Sequence, residues 1–280
     1  MKGIVLAGGL GTRLHPLTIS ISKQLLPLFD KPMIYYPIST LMLMGIREIL
    51  CICKKEDIKI FKKILKNGKQ WGISISFEVQ SKPSGIAESL IIGKNFVKKD
   101  SVALILGDNI FYGIDYNIKN FVKGASIFAY KVQEPQRYGV IELKNSLPYK
   151  IIEKPKKPKS NLAVTGLYLY DNSVLNIAKN IKPSKRNELE ITDVNNEYLK
   201  HKKLKVNILK HGSMWLDAGS FTSLLQASHF IQTIQERQNI QIGSPEGVAL
   251  EKRFITPTKL KRYLKTSPNN EYYNYLRRLL

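Results

Sequence analysis

The chain has few of the residues that build cross-linked or metal-clipped scaffolds. Only two of its 280 residues are cysteine, Cys51 and Cys53 in EILCIC. On a strand both would face one side, and two thiols supply neither a disulfide framework nor a zinc set; they read as buried core. The four histidines, His15, His201, His211 and His229, are scattered without metal-ligand spacing. No apolar run reaches membrane-spanning length, because Pro, Gly or charge breaks the longer ones. A basic leader is also missing: Met1-Lys2-Gly3 enters a strand pattern at once, so no signal peptide and a cytoplasmic location are expected. Acidic residues are scarce, 22 against 44 Lys and Arg, for a net charge of +22.

Such an excess fits either a polyanion partner or phosphorylated substrates. The lysines are spread along the whole chain, often beside Ile and Asn. KKEDIKIFKKILKNGK reads as an amphipathic helix with a solvated basic face, and EKPKKPKS as a Pro-punctuated loop. No basic stretch is interleaved with stacking aromatics, as single-strand binders require. A compositional drift laid over an ordinary enzyme is the preferred reading, with no nucleic acid and no membrane as partner.

Hydrophobic residues make up 43%, enough for a sizeable core. Residues 2–7 read as a buried strand, 35–44 as a helix and EILCIC as a second strand. A basic helix near 56–66, a strand at 73–79, a helix over 85–96 and a strand at 101–106 follow. Strands alternating with helices predict an α/β fold with a Rossmann-like, doubly wound sheet. After residue 124 the runs SIFAYKV, YGVIEL, YKIIEK and AVTGLYLY predict antiparallel additions, which makes the sheet mixed. Helices return near 171–180 and 190–201, a strand at 204–209, and SMWLDAGSF leads into a long helix to about 238. The expected division is a core over 1–240, with a change of texture near 124. A small helical cap over 241–280 would serve as an interface.

The first strand ends in GGLGTR. Glycines there let backbone N–H groups approach an anion closely, so Gly8, Gly9 and Gly11 predict a phosphate cradle at the carboxyl edge of the sheet. A Walker loop needs GK[ST], where this chain has GT-Arg. A dinucleotide fingerprint needs glycine where Leu14 stands, and an acid closing the second strand, whereas Asp30 lies in the loop LFDKP. Arg13 offers a planar cation for phosphate oxygens, and Lys23 adds a point charge. A plain strand-to-helix turn with a solvated Arg13 is the bland alternative.

MKGIVLAGGLGTRLHPLT, SKQLLPLFDKPMIYYPISTLMLMGI, LILGDNIFYG, FAYKVQEPQRYGVIE, EKPKKPKSNLAVTGLYLYDN, NELEITDVN and WLDAGS follow one another in order. Together they resemble the sugar-phosphate nucleotidyltransferases, above all the thymidylyl-transferring members, over nearly the whole chain. The resemblance implies transfer from dTTP to glucose 1-phosphate with Mg²⁺ and loss of pyrophosphate, by a homo-oligomer, a tetramer. Use of UTP or another sugar 1-phosphate is the near alternative, and a nicotinamide-dependent oxidoreductase the distant one.

Asp108 closes the apolar run VALILGDN and Asp217 closes SMWLDAG, so each sits at a strand end. Carboxylates there can share a hard divalent ion, although Asp is also a common cap or turn residue. The resemblance assigns both to the metal. It implies Arg13, Lys23 and Lys154 as catalytic cations. It places Leu6, Gly8, Gly9, Gly11, Thr12, Arg13, Gln24, Gln80, Pro83 and Gly85 at the nucleotide. Asn109, Tyr138, Gly139, Glu153, Lys154, Val164, Tyr168 and Trp215 fall to the sugar phosphate. Val164 and Tyr168 would otherwise pass for strand core. The chain departs from the family's DGLAQA stretch, reading SGIAES with Ser84, Ile86 and Glu88. Leu10, Ile114 and His211 depart elsewhere, the last two in regions linked to feedback inhibition.

Overall fold

The computed structural model describes residues 1–118 and 121–280. The chain opens with β1 (Lys2–Ala7) and turns through the short ladder β2 (Pro27–Leu28) and β3 (Lys31–Pro32). It then runs through α1 (Tyr35–Leu43), β4 (Glu48–Cys53), α2 (Ile58–Leu65), β5 (Ser74–Val79), α3 (Glu88–Ile92), α4 (Lys94–Val97) and β6 (Val102–Leu106). Next come β7 (Asn109–Tyr112), β8 (Ala125–Lys131), β9 (Gly139–Lys144), β10 (Leu147–Glu153), β11 (Leu162–Tyr170), α5 (Val174–Asn180), α6 (Ile191–Lys200) and β12 (Leu204–Ile208). The last elements are β13 (Met214–Asp217), α7 (Phe221–Gln238), α8 (Pro245–Glu251), α9 (Pro257–Leu264) and α10 (Glu271–Arg278).

Among the described residues nine strands form one mixed sheet. β6, β1, β4 and β5 lie side by side in parallel. β11 runs antiparallel to β6, β8 and β9, β10 pairs antiparallel with β9, and β12 lies parallel beside β8. The predicted fold class, a doubly wound layer with antiparallel additions, is therefore the one observed. Side chains alternate across it with period two. Val5, Ala7, Cys51 and Cys53 face α1, α2 and the C-terminal helices. Ile4, Leu50, Ile52 and Leu104 face α3, α5 and α6. Both cysteines are buried and free, as expected of core residues.

Three features escape the strand and helix pattern. The helix expected over 85–96 is split into α3 and α4 at Gly93, where a Cβ would lie 2.6 Å from Ile4 Cδ1; the segment presses too closely on β1 for a side chain. β7 and β13 leave the main sheet and pair with each other, with Asp217 opposite Asn109. β11 is irregular between Val164 and Tyr168. One of its edges is shared between β9, at Ala163, and β6, from Leu167 onward. The site lies at that change of partner.

The C-terminal helices carry clear start signals: Ser244, Thr256 and Asn270 cap α8, α9 and α10, and proline opens the first two. Val248, Ala249, Leu260, Leu264 and Leu276 join the core that holds α1. Buried Glu246 accepts from Tyr272 Oη at 2.6 Å, and Lys31 Nζ lies 5.0 Å and 5.7 Å from the ring centres of Tyr36 and Tyr272.

Candidate active site

β1 and β6 are neighbours, so their carboxyl ends open side by side. The Gly107 amide donates to the Leu6 carbonyl at 2.9 Å, which brings Asp108 beside the glycine loop. Two of the loop's glycines are required by geometry. A Cβ on Gly8 would lie 2.2 Å from Gln80 Oε1, and Gly11 adopts a left-handed backbone with φ of 67° while its carbonyl accepts from Thr18 Oγ1 at 2.7 Å. The loop then enters a single 3₁₀ turn, Thr12–Leu14, and the first α-helix starts only at Tyr35. The strand–loop–helix context of a dinucleotide fold is therefore not present.

Asp108 and Asp217 meet. Their strands belong to different sheets, yet the Ala218 amide donates to the Asp108 carbonyl at 3.2 Å. Lys23 Nζ is ion-paired with Asp108 Oδ2, and Asn109 Nδ2 donates to Oδ1 at 3.0 Å. Burial pushes the Asp108 carboxyl up, but the Lys23 charge and these hydrogen bonds outweigh it and hold the group below its ordinary value. Asp217 moves the other way: burial first, then the Asp108 charge, raise its pKa against the pull of Arg137 and Lys23. Arg137 Nη2 lies 3.7 Å from Asp217 Oδ2. Arg13 closes the group, since a Cβ on Gly219 would lie 3.3 Å from Asp217 Oδ2 and 3.9 Å from both terminal nitrogens of Arg13. Two apposed carboxylates ringed by cations suit a hard ion that takes one or two protein ligands and fills its shell with water and phosphate oxygens.

Asn109 works as a bracket. It is buried, and its Oδ1 accepts from Trp215 Nε1 at 2.6 Å and from the Gly166 amide at 2.9 Å. A Cβ on Gly166 would sit 2.5 Å from that oxygen, so glycine is needed there. Trp215 in turn meets Tyr138 edge-on, with ring centres 5.1 Å apart. Burial, then Asp217, push the Tyr138 hydroxyl up to about 12.

The far wall comes from β10 and α6. Glu153 ends β10; its Oε2 accepts from Thr192 Oγ1 at 2.6 Å, and Oε1 lies 3.4 Å from Arg186 Nη2 and 3.9 Å from Lys154 Nζ. Gly139 leaves room for this carboxylate, because a Cβ there would stand 3.3 Å from Oε2. Lys154 holds a left-handed backbone with φ of 43°, and its amide donates to the Tyr138 carbonyl at 2.9 Å. Such a conformation costs a non-glycine residue energy and recurs at functional sites.

Arg13, Asp108, Asn109, Tyr138, Gly139, Glu153, Lys154, Val164, Tyr168, Trp215 and Asp217 thus line one cleft. Lys23 reaches it through Asp108. Leu6, at the end of β1, and Gly8, Gly9, Gly11, Thr12, Gln24, Gln80, Pro83 and Gly85, along the neighbouring loops and turns, stand outside its wall. Gln24 is buried and accepts from Ser22 Oγ at 2.8 Å. Gly85 has φ of 108° and packs on the Leu189 backbone. Pro83 and Thr12 are exposed. Two cations were not singled out from the sequence: Arg137, inside QEPQRYG, and Arg186, which is bonded to both oxygens of Glu190 at 2.9 Å as well as approaching Glu153. QEPQRYG belongs to one of the motifs that carry the resemblance, so the signal for Arg137 is present in the sequence. Among 44 basic residues nothing marks Arg186.

A doubly wound sheet with paired carboxylates and phosphate-sized cations at one strand edge is the arrangement of an enzyme that transfers nucleotidyl groups. The chain belongs to the nucleotidyl transferase family, whose model matches residues 2–234. It is 50% identical to the glucose-1-phosphate thymidylyltransferase of Neisseria meningitidis over the full chain and 99% of that protein. A Bacillus anthracis structure described as a glucose-1-phosphate thymidylyltransferase, solved with sucrose, matches with a TM-score of 0.79 and 40% identity over 88% of this chain and 99% of that one. A UDP-glucose pyrophosphorylase solved with UDP-glucose shares the fold, with a TM-score of 0.73 at 24% identity over 83% of this chain and 98% of that one.

Proposed function

We infer that the protein transfers the thymidylyl group of dTTP to glucose 1-phosphate, releasing pyrophosphate and forming dTDP-glucose, a step toward dTDP-rhamnose and related deoxysugars. One observation carries this reading. Asp108, Asp217 and Arg13 meet at one end of a cleft whose other end holds Glu153 and Lys154. That leaves a triphosphate-binding end and a sugar-phosphate-binding end facing each other.

In this reading an oxygen of the sugar phosphate attacks the α-phosphorus of dTTP in line. The new P–O bond forms as the bond to pyrophosphate breaks. The attacking phosphate is already anionic, so no general base is needed, and catalysis reduces to alignment and charge neutralisation. Magnesium, when bound, neutralises charge on phosphate oxygens, and Asp108 and Asp217 are the residues that would hold it. Arg13 takes charge on the departing pyrophosphate. Lys154, with Arg186 beside Glu153, holds the phosphate of the nucleophile, and Glu153 accepts from sugar hydroxyls. Lys23 stands between the two phosphate groups through its pair with Asp108. Gln80 and Gly85 meet the base, and Tyr138, Val164, Tyr168 and Trp215 frame the sugar.

Residues 1–124 carry the nucleotide part and 125–240 the sugar-phosphate part of this assignment, with 241–280 as an interface. The protein is read as a cytoplasmic homotetramer that binds neither nucleic acid nor membrane. Among the described residues no helix is long and apolar enough to cross a membrane.

A substrate panel tests the reading. Each nucleoside triphosphate is offered with glucose 1-phosphate or another sugar 1-phosphate, and nucleotide sugar is measured. The largest kcat/KM is expected for dTTP with glucose 1-phosphate. Preference for UTP or for another sugar phosphate would transfer the assignment to that pair, and no product from any pair would overturn it.

A further inference from the structure

Gln80 follows β5 and Glu88 opens α3, on either side of the loop that departs from the family pattern. The Gln80 side chain is 4% exposed. Its Nε2 donates to Glu88 Oε2 at 2.7 Å and to the Gly85 carbonyl at 3.4 Å. A carboxylate and a carbonyl can only accept. Turning the amide over would set Oε1 against two acceptors, so these partners fix which way round it lies. Oε1 then points at the glycine loop, where it occupies the space of a Gly8 Cβ, 2.2 Å from that position. Among the described residues Oε1 accepts no hydrogen bond. Toward the loop, the Gln80 amide therefore offers an acceptor and withholds its donors.

We propose that Glu88 is a positioning residue for base selection. By locking the Gln80 amide it leaves only a carbonyl for the nucleobase, which selects thymine and uracil, whose N3 carries a hydrogen, and disfavours cytosine, whose N3 is an acceptor. The proposal rests on the reading of Gln80 as a base contact. The carboxylate at 88 is what makes the orientation one-sided. A glutamine there has the same shape but donates as well as accepts, so it would leave the Gln80 amide free to turn.

The test measures dissociation constants for dTTP, dUTP and dCTP by calorimetry on wild type, Glu88→Gln and Glu88→Ala, with thermal unfolding of each. In wild type dTTP and dUTP are expected to bind more tightly than dCTP. In Glu88→Gln the preference for dTTP over dCTP falls about tenfold, the scale of one buried hydrogen bond, while the dTTP-to-dUTP ratio and the Tm hold. Glu88→Ala shifts the same ratio in the same direction. A dTTP-to-dCTP ratio unchanged in Glu88→Gln, or equal weakening of all three nucleotides, overturns this proposal alone. A wild-type protein that binds none of the three overturns the nucleotide reading and this proposal with it.

Discussion

The ammonium of Lys23 is paired with the carboxylate of Asp108, 85 residues further along the chain. The pair ties the turn after the glycine loop to the end of β6 and holds the two segments together. Both side chains are largely buried, 12% and 19% exposed, so removing either partner strands a charge.

Lys23→Met keeps most of the aliphatic stem and removes the charge. It is expected to lower kcat by about 10²–10³, the scale of one preorganised electrostatic contact. It should also cost about 1–3 kcal/mol of stability, for an Asp108 left without its partner. Steady-state pyrophosphate release and urea unfolding measure the two effects. Turnover within twofold of wild type would remove Lys23 from the account.

On the opposite wall, Glu153→Gln should raise KM for glucose 1-phosphate about tenfold or more while leaving the Kd for dTTP within twofold. The carboxylate that accepts from Thr192 and stands beside Arg186 and Lys154 becomes a neutral amide there. Equal weakening toward both substrates would mean that Glu153 supports the fold of the cleft and not sugar binding.

The carboxylate of Asp171 predicts a pH-dependent stability. It accepts from the amides of Gly124 at 2.7 Å and Ser173 at 3.1 Å and from Tyr198 Oη at 2.8 Å. Burial alone would raise its pKa, but the hydrogen bond from Ser173 Oγ, followed by these bonds, prevails and holds it below the ordinary value of 3.8. A depressed carboxylate contributes stability that is complete above its unfolded pKa and is lost as pH falls through the folded value. Asp171→Asn should therefore cost about 1 kcal/mol near neutrality, allowing for the partial exposure of the group. The Tm gap to wild type should close as pH drops below 3.8. A gap that keeps its size down to the acid limb would contradict the assignment.

Much of this fold is legible in the sequence. β1 and β4 are uninterrupted apolar runs buried on both faces, and such runs announce parallel strands. Asp108 and Asp217 could be placed at strand ends because apolar runs stop at them. What a single residue's neighbours cannot reveal is pairing across the chain. β12 lies beside β8, and β7 meets β13, through contacts about 80 to 110 residues apart in sequence. The break between α3 and α4 falls at Gly93, which packs on Ile4 of the first strand. Arg186 looks like any other lysine-rich-loop cation until Glu153 and Glu190 are seen around it. The bonds that hold Asn109 in the cleft wall, from Trp215 and the Gly166 amide, likewise join residues far apart in sequence.

We propose that Asp108 and Asp217 jointly hold a divalent ion against the nucleotide's phosphates. The most direct measurement is pyrophosphate release from dTTP and glucose 1-phosphate as magnesium is titrated into chelator-stripped wild type and Asp217→Asn. Wild type should be inactive without the metal, and the magnesium concentration for half-maximal rate should rise about tenfold or more in the variant. Full turnover in excess chelator, or the same magnesium dependence in both proteins, would contradict it.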